Sequence, residues 1–353
     1  MFTDVVRVLI PAGIAFVIGI GMTPVLTHYL YKYKAWKKKS GKTAYDGSVA
    51  AEFNRLHIHH EVRAPRMGGV IVWGSVLLTT FGLALFAKLF PGLITQELDF
   101  LSRGQTWIPL ATLLIGAIAG LIDDLLIIRP GGDGLRLRYR LVIVVALSTL
   151  IGIWFYDKLD VTSVQIPFDG MLYLGWLIVP FFVLTSLAIF ASGVIDGIDG
   201  LSGGVFASVF ASYAIIAFSQ DQIHLAAFCA AVTAGLLAFL WFNVPPARFY
   251  MSDTGTMALT LTIPVIAFMT DKLGGGIGVT VLPIIGALLV ATVASDILQM
   301  TWKRVLGRKL FLIAPLHHHF EALGWPGEKV TMRYWILSIV FAFAGVIFAL
   351  LAA

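Results

Sequence analysis

The residues able to do chemistry in this chain fall in a few short strings. Asp123 and Asp124 are adjacent at the end of an apolar run, where a helix dipole disfavours negative charge. A bound cation would relieve that repulsion, and so would Arg129, Arg136, Arg138 or Arg140 just downstream. Asp196 and Asp199 lie within the glycine-rich stretch Ser192–Gly204. Their spacing puts both on one face of a helical turn, and the glycines let backbone amides approach a ligand closely. Asp253 stands immediately before another apolar run, in the connection that begins at Asn243. A carboxylate there is an ordinary helix cap and can equally hold a cation. Asp253-Thr254-Gly255 also matches the aspartic protease tripeptide, but that chemistry needs two copies and the chain has one. His317, His318 and His319 are consecutive and internal. Neighbouring side chains diverge, which disfavours one shared zinc ion and favours hydrogen bonds to phosphate. His57, His59 and His60, in an earlier basic stretch, read as a polar loop. Carboxylates combined with phosphate oxygens are the usual surroundings of Mg²⁺, so the set points to phosphoryl transfer.

The elements that must position these groups are membrane helices. Hydrophobic residues make up 58% of the chain and charged ones 13%, with a mean hydropathy of +0.89. Such a composition excludes a water-soluble globule. A helix crosses the hydrocarbon core in about 20 apolar residues. About ten runs qualify: Val5–Leu30, Met67–Phe90, Trp107–Leu126, Leu141–Phe155, Met171–Ala191, Gly203–Phe218, Ile223–Phe242, Thr256–Met269, Ile277–Thr301 and Tyr334–Leu351. The expected fold is an all-α polytopic membrane protein with one catalytic domain over residues 1–353. All but Arg7, Lys88, Arg103, Lys158 and Lys272 of the 25 Lys and Arg fall in alternate connections. Those connections are therefore expected in the cytoplasm, which puts both termini outside and the acids and histidines at the cytoplasmic face. The first run reads as retained rather than cleaved. The one cysteine, Cys229, sits in an apolar run and offers no disulfide or metal cluster. No basic soluble domain is present to bind nucleic acid, and the net charge of +5 suits anionic headgroups or phosphorylated substrates instead.

The strings Pro65-Arg66-Met67-Gly68-Gly69, Asp123-Asp124, Asp196-Gly197-Ile198-Asp199-Gly200, Asn243 with Asp253, and His317-His318-His319-Phe320-Glu321 occur in the order found in polyprenyl-phosphate N-acetylhexosamine-1-phosphate transferases. The last string, with Gly324-Trp325-Pro326, resembles the phospho-N-acetylmuramoyl-pentapeptide transferase branch. The resemblance implies a bacterial inner (cytoplasmic) membrane enzyme of peptidoglycan synthesis, working as a homodimer. It would move phospho-MurNAc-pentapeptide from UDP-MurNAc-pentapeptide to undecaprenyl phosphate, giving lipid I and UMP with Mg²⁺. It further implies that Asp253 binds Mg²⁺ and that Asp123 and Asp124 act as base or as organisers of metal and phosphate. Asn243, Asp196, His317, His318, His319 and Arg140 would line the substrate site, and Asp199 would face the nucleotide. Direct attack by the lipid phosphate is the expected route, and a covalent aspartyl-phosphate on Asp123 or Asp253 is its competitor. The chain departs from the family at Phe190-Ala191-Ser192-Gly193, where an Asn-rich run is usual, and at Arg140, where Lys is usual. The nearest alternative is a related GlcNAc-1-phosphate transferase. A secondary transporter is the alternative from another class, disfavoured because transport sites lie near the bilayer midplane whereas these acids gather at one face.

Overall fold

A computed structural model describes residues 2–37, 64–102, 104–168 and 170–352. Lys38, Lys39, Lys42, Arg55, Arg63, Arg103 and the histidines at 57, 59 and 60 lie outside the described residues. The helices are α1 (Phe2–Lys32), α2 (Val70–Leu89), α3 (Leu93–Leu98), α4 (Trp107–Ile127), α5 (Leu137–Lys158), α6 (Ile178–Ala191), α7 (Leu201–Ser219), α8 (Ile223–Asn243), α9 (Ser252–Met269), α10 (Gly278–Ile285), α11 (Ala287–Leu306), α12 (Leu316–Ala322) and α13 (Gly327–Leu351). Among the described residues nine helical stretches are long and apolar enough to cross a membrane, and the bent pair α10–α11 makes a tenth. The protein is thus an all-α, multi-pass membrane protein, as its composition demands.

Three boundaries differ from the hydropathy reading. The run Met171–Ala191 does not begin as a helix: β1 (Ser163–Ile166) and β2 (Gly170–Tyr173) pair antiparallel, and α6 starts only at Ile178. Tertiary anchors hold this hairpin. The Asp271 carboxylate accepts from Gln165 N at 2.8 Å, and Lys272 Nζ donates to Asp160 O at 2.6 Å. The run Ile277–Thr301 is broken by a 70° bend between α10 and α11. Pro283 and Gly286 stand at that break, and proline removes an amide donor while crowding the preceding turn. Finally, α13 begins at Gly327 rather than Tyr334, so Lys329 and Arg333 belong to the helix.

The bundle is organised around α9. It is almost wholly buried, whereas the outer α1 and α5 are mostly exposed. A threonine-rich helix can sit there because its hydroxyls are satisfied internally: Thr256, Thr260 and Thr262 donate to the carbonyls of Ser252, Thr256 and Ala258. The most extensive helix pairing is α4 against α9, with α6 also against α9, while α8 packs between α1 and α7. Glycines set the closeness of α4 to α9. A Cβ added at Gly116 would lie 2.7 Å from Met257 O, and one at Gly120 would overlap the Asp253 carbonyl.

Candidate active site

That close approach places the end of α4 against the start of α9. Asp123, Asp124 and Asp253 each present a carboxylate oxygen within 4.8 Å of the others, a donor set suited to a hard divalent cation. Asp123 and Asp124 are fully buried, and Asp253 is partly exposed. Two arginines from different connections bind this acid group. Arg66 reaches Asp124 Oδ1 with Nε at 2.8 Å and Asp253 Oδ2 with Nη2 at 3.2 Å. Arg140 reaches Asp123 Oδ2 at 2.5 Å and Asp253 Oδ1 at 3.0 Å. Arg129, Arg136 and Arg138 do not supply the compensation at Asp123 and Asp124. Arg138 instead stacks over Tyr139.

Each acid has a second role that fixes the local fold. Asp124 Oδ2 accepts from Ser252 Oγ at 2.5 Å, Thr254 Oγ1 at 2.5 Å and Thr254 N at 3.0 Å. Asp196 accepts from Ser252 N at 2.8 Å and Ser202 Oγ at 2.6 Å. The amides that begin α9, which have no partner within the helix, are therefore satisfied by carboxylates from other elements, where negative charge is favoured. Asp253 does not cap its own helix, since α9 has no side-chain cap and the Asp253 carboxylate turns to the arginines. Asp123 Oδ1 accepts from Leu135 N, folding the connection to α5 back over the site. Burial raises the pKa of Asp196, and its bonds to Ser202 and Ser252 oppose that shift. Burial also works against the Arg66 charge, but Asp124 and Asp253 outweigh it and raise the Arg66 pKa.

The Arg66 backbone is fastened to the segment that leads into α9. Tyr250 N donates to Pro65 O at 2.8 Å, Gly68 N to Tyr250 O at 2.8 Å, and Met67 N to Ser252 Oγ at 2.8 Å. Arg66, Ser252 and Thr254 are the site residues that the sequence reading did not single out for function. Their signals were present in the motif preceding Gly68-Gly69 and in the residues flanking Asp253.

The Asp196–Gly200 turn joins the acid cluster to the histidines. A Cβ on Gly197 would lie 2.6 Å from His318 Nε2 and 2.8 Å from His317 Nε2, so these rings pack directly on the turn. His317 and His318 are buried with ring centroids 4.3 Å apart, and His318 Nδ1 lies 2.6 Å from Glu321 Oε2. His319 points elsewhere. Its Nδ1 accepts from Leu312 N at 3.3 Å, and its ring faces Phe311. Asn243 uses its amide on the backbone in both directions: Oδ1 accepts from Gly200 N at 2.9 Å and Nδ2 donates to Phe249 O at 2.8 Å. Asp199 Oδ2 accepts from Ala247 N at 3.0 Å, which ties the turn to the same connection.

The family model described as glycosyl transferase family 4 matches residues 106–271, which contain all three clustered acids. Relatives match end to end. A protein of Bacillus mycoides is 28% identical over 347 residues and one of Bacillus cytotoxicus is 29% identical over 343, each alignment covering 96% of both chains. A Bacillus thuringiensis protein is likewise 28% identical over 347 residues. All three are named phospho-N-acetylmuramoyl-pentapeptide-transferase. Over residues 106–271 the chain is similar to glycosyl transferase family 4. Together these matches support a glycosyl-1-phosphate transferase, and the family match contains the acid cluster together with Arg140, Asp196, Asp199 and Asn243. The His317–Glu321 segment lies beyond the family match but within the span aligned to the relatives.

Proposed function

We propose that the protein transfers phospho-MurNAc-pentapeptide from UDP-MurNAc-pentapeptide to undecaprenyl phosphate, giving lipid I and UMP at the cytoplasmic face of a bacterial inner membrane, as a single membrane domain. The observation that carries the reading is the meeting of Asp123, Asp124 and Asp253 beside two arginines, at the end of a continuous path to His317 and His318. The relatives' names supply the substrate class. The donor set fits Mg²⁺, which Asp253 would hold with Asp123 and Asp124. When bound it would offset the repulsion between two anionic reactants and stabilise the departing UMP.

The chain's own groups do the positioning. The acceptor phosphate, largely dianionic near neutral pH, needs little deprotonation. One of its oxygens forms the new bond to the sugar-linked phosphorus while that phosphorus releases the oxygen bridging to UMP. Arg140 holds Asp123 and Asp253 in place, and both it and Arg66 offer guanidinium forks to phosphate oxygens. His317 and His318, set against the Gly197 backbone, supply nitrogen donors to the donor's phosphates, and His318 is oriented by Glu321. Asp199 faces the nucleotide side, while Asn243 keeps the Asp196–Gly200 turn in register by bonding Gly200 and Phe249.

The test is UMP release by the purified protein, with undecaprenyl phosphate and either UDP-MurNAc-pentapeptide or UDP-GlcNAc, with and without Mg²⁺. Release that needs the muramoyl donor, the lipid and Mg²⁺ is expected. Release from UDP-GlcNAc alone would overturn the donor assignment, and release from neither donor would overturn the transfer reading.

A further inference from the structure

The oxygens of the acid cluster fall into two groups. Asp124 Oδ2 is engaged by three donors from residues 252 and 254, and Asp123 Oδ1 by Leu135 N. These bonds belong to the fold. The other four oxygens, Asp123 Oδ2, Asp124 Oδ1 and both of Asp253, have as their donors the guanidiniums of Arg66 and Arg140. They are the oxygens that a divalent cation would need, and a cation placed on them would be repelled by the guanidiniums already there. Arg66 spans two of the three acids, linking Asp124 from α4 to Asp253 from α9.

We propose that Arg66 is an internal stand-in for the divalent cation: it holds Asp124 and Asp253 together in the metal-free protein and must give up those oxygens before the cation binds. This rests on the acid cluster being the metal site of the transfer reading above. The backbone makes such an exchange feasible. Pro65, Met67 and Gly68 are bonded to residues 250 and 252, and Arg66 N donates to Ala35 O at 2.7 Å, so the main chain stays put when the side chain swings. The Arg66 side chain is 22% exposed, so its neighbours do not seal it in. A released guanidinium would then meet phosphate oxygens with the same two-pronged geometry it had used on the carboxylates. Arg66 is on this account a positioning residue that sets how tightly the cation is held.

Mn²⁺ binding to the full chain in detergent, without substrate, is read from the loss of the free-ion electron paramagnetic resonance signal. Arg66→Gln removes the competing cation, so Mn²⁺ should bind about tenfold tighter or more. Arg66→Lys keeps one charge but can hold only one acid at a time, so it should bind about threefold tighter than wild type. Thermal unfolding identifies folded protein, and Mn²⁺ should raise the melting temperature of Arg66→Gln more than that of wild type. Equal or weaker Mn²⁺ affinity in folded Arg66→Gln overturns the proposal. If the Gln variant does not fold, the same result in Arg66→Lys overturns it. Absence of binding by all three proteins removes the metal site and this inference together, while UMP release tests the transfer reading separately.

Discussion

Gly120→Ala sets helix propensity against packing. In an isolated helix the change would stabilise by about 1 kcal/mol. Within the bundle the added methyl group meets the Asp253 carbonyl, and one turn earlier a methyl at Gly116 would lie 2.7 Å from Met257 O. Carbon–oxygen contacts settle at about 3.3 Å or more, so relief at Gly116 would need a retreat of about 0.6 Å and relief at the tighter Gly120 a retreat of more than about 1 Å. That retreat separates α4, which carries Asp123 and Asp124, from α9, which carries Asp253. A misplacement of about 1 Å among catalytic groups costs on the order of 100-fold in rate, and overpacking costs about 1–3 kcal/mol. Gly120→Ala is therefore predicted to cut UMP release about 100-fold and to lower the melting temperature in detergent. Gly82→Ala on α2, whose Cβ would meet nothing within 4 Å, is the control and should leave both unchanged or slightly raise stability. If Gly120→Ala behaved like Gly82→Ala in both measurements, the reasoning from helix contact to active-site geometry would fail.

Asp253→Asn should abolish Mg²⁺-dependent UMP release while unfolding stays cooperative; wild-type turnover in this variant would remove Asp253 from the mechanism. Asn243→Ala strips partners from Gly200 N and Phe249 O in a buried setting, a loss of about 1–3 kcal/mol for each. It should lower the melting temperature and turnover together, and an unchanged melting temperature would count against the clasp. Asp271 is buried beside the hairpin, and burial raises its pKa from 3.8 to about 6. Because the folded state holds this proton more tightly than the unfolded one, the contribution to stability is full below pH 3.8 and is lost as the pH rises through about 6. The difference amounts to about 3 kcal/mol. Wild type should therefore be more stable at pH 5 than at pH 7.5, and Asp271→Asn should flatten the slope; identical pH profiles for the two proteins would sink the assignment.

Much of the candidate site was legible because its residue types are costly in a membrane unless they are used. Asp123, Asp124 and Asp253 stood out at the ends of apolar runs, and the structure brings those three together. Their partners were harder to read. Arg66 lies 58 residues from Asp124 and 187 from Asp253, and no local spacing announces a contact formed by two helix ends packing glycine to backbone. The cap reading of Asp253 failed for a similar reason, since the amides at the start of α9 are met by Asp124 and Asp196 from elsewhere in the chain. Hydropathy counts Met171, Leu172 and Tyr173 as membrane residues. It cannot sense the Asp271 and Lys272 anchors that hold the preceding strand and its hairpin. The bend at Gly286 was signalled by Pro283 and Gly286, but their effect on direction needs three dimensions.

The two arginines also impose an order on how the chain becomes a membrane protein as it leaves the ribosome. Arg66 is synthesised before α4, and Arg140 follows Asp123 by 17 residues. Asp123 and Asp124 thus enter the bilayer with one cation already made and the other close behind, which limits the penalty of inserting a doubly acidic helix end. Asp253 emerges later, 113 residues after Arg140, and its helix must slot against α4. Early segments form first during synthesis, so the last acid arrives at a pair of guanidiniums already waiting for it. The same ion pairs that define the candidate site thereby join segments made far apart during synthesis.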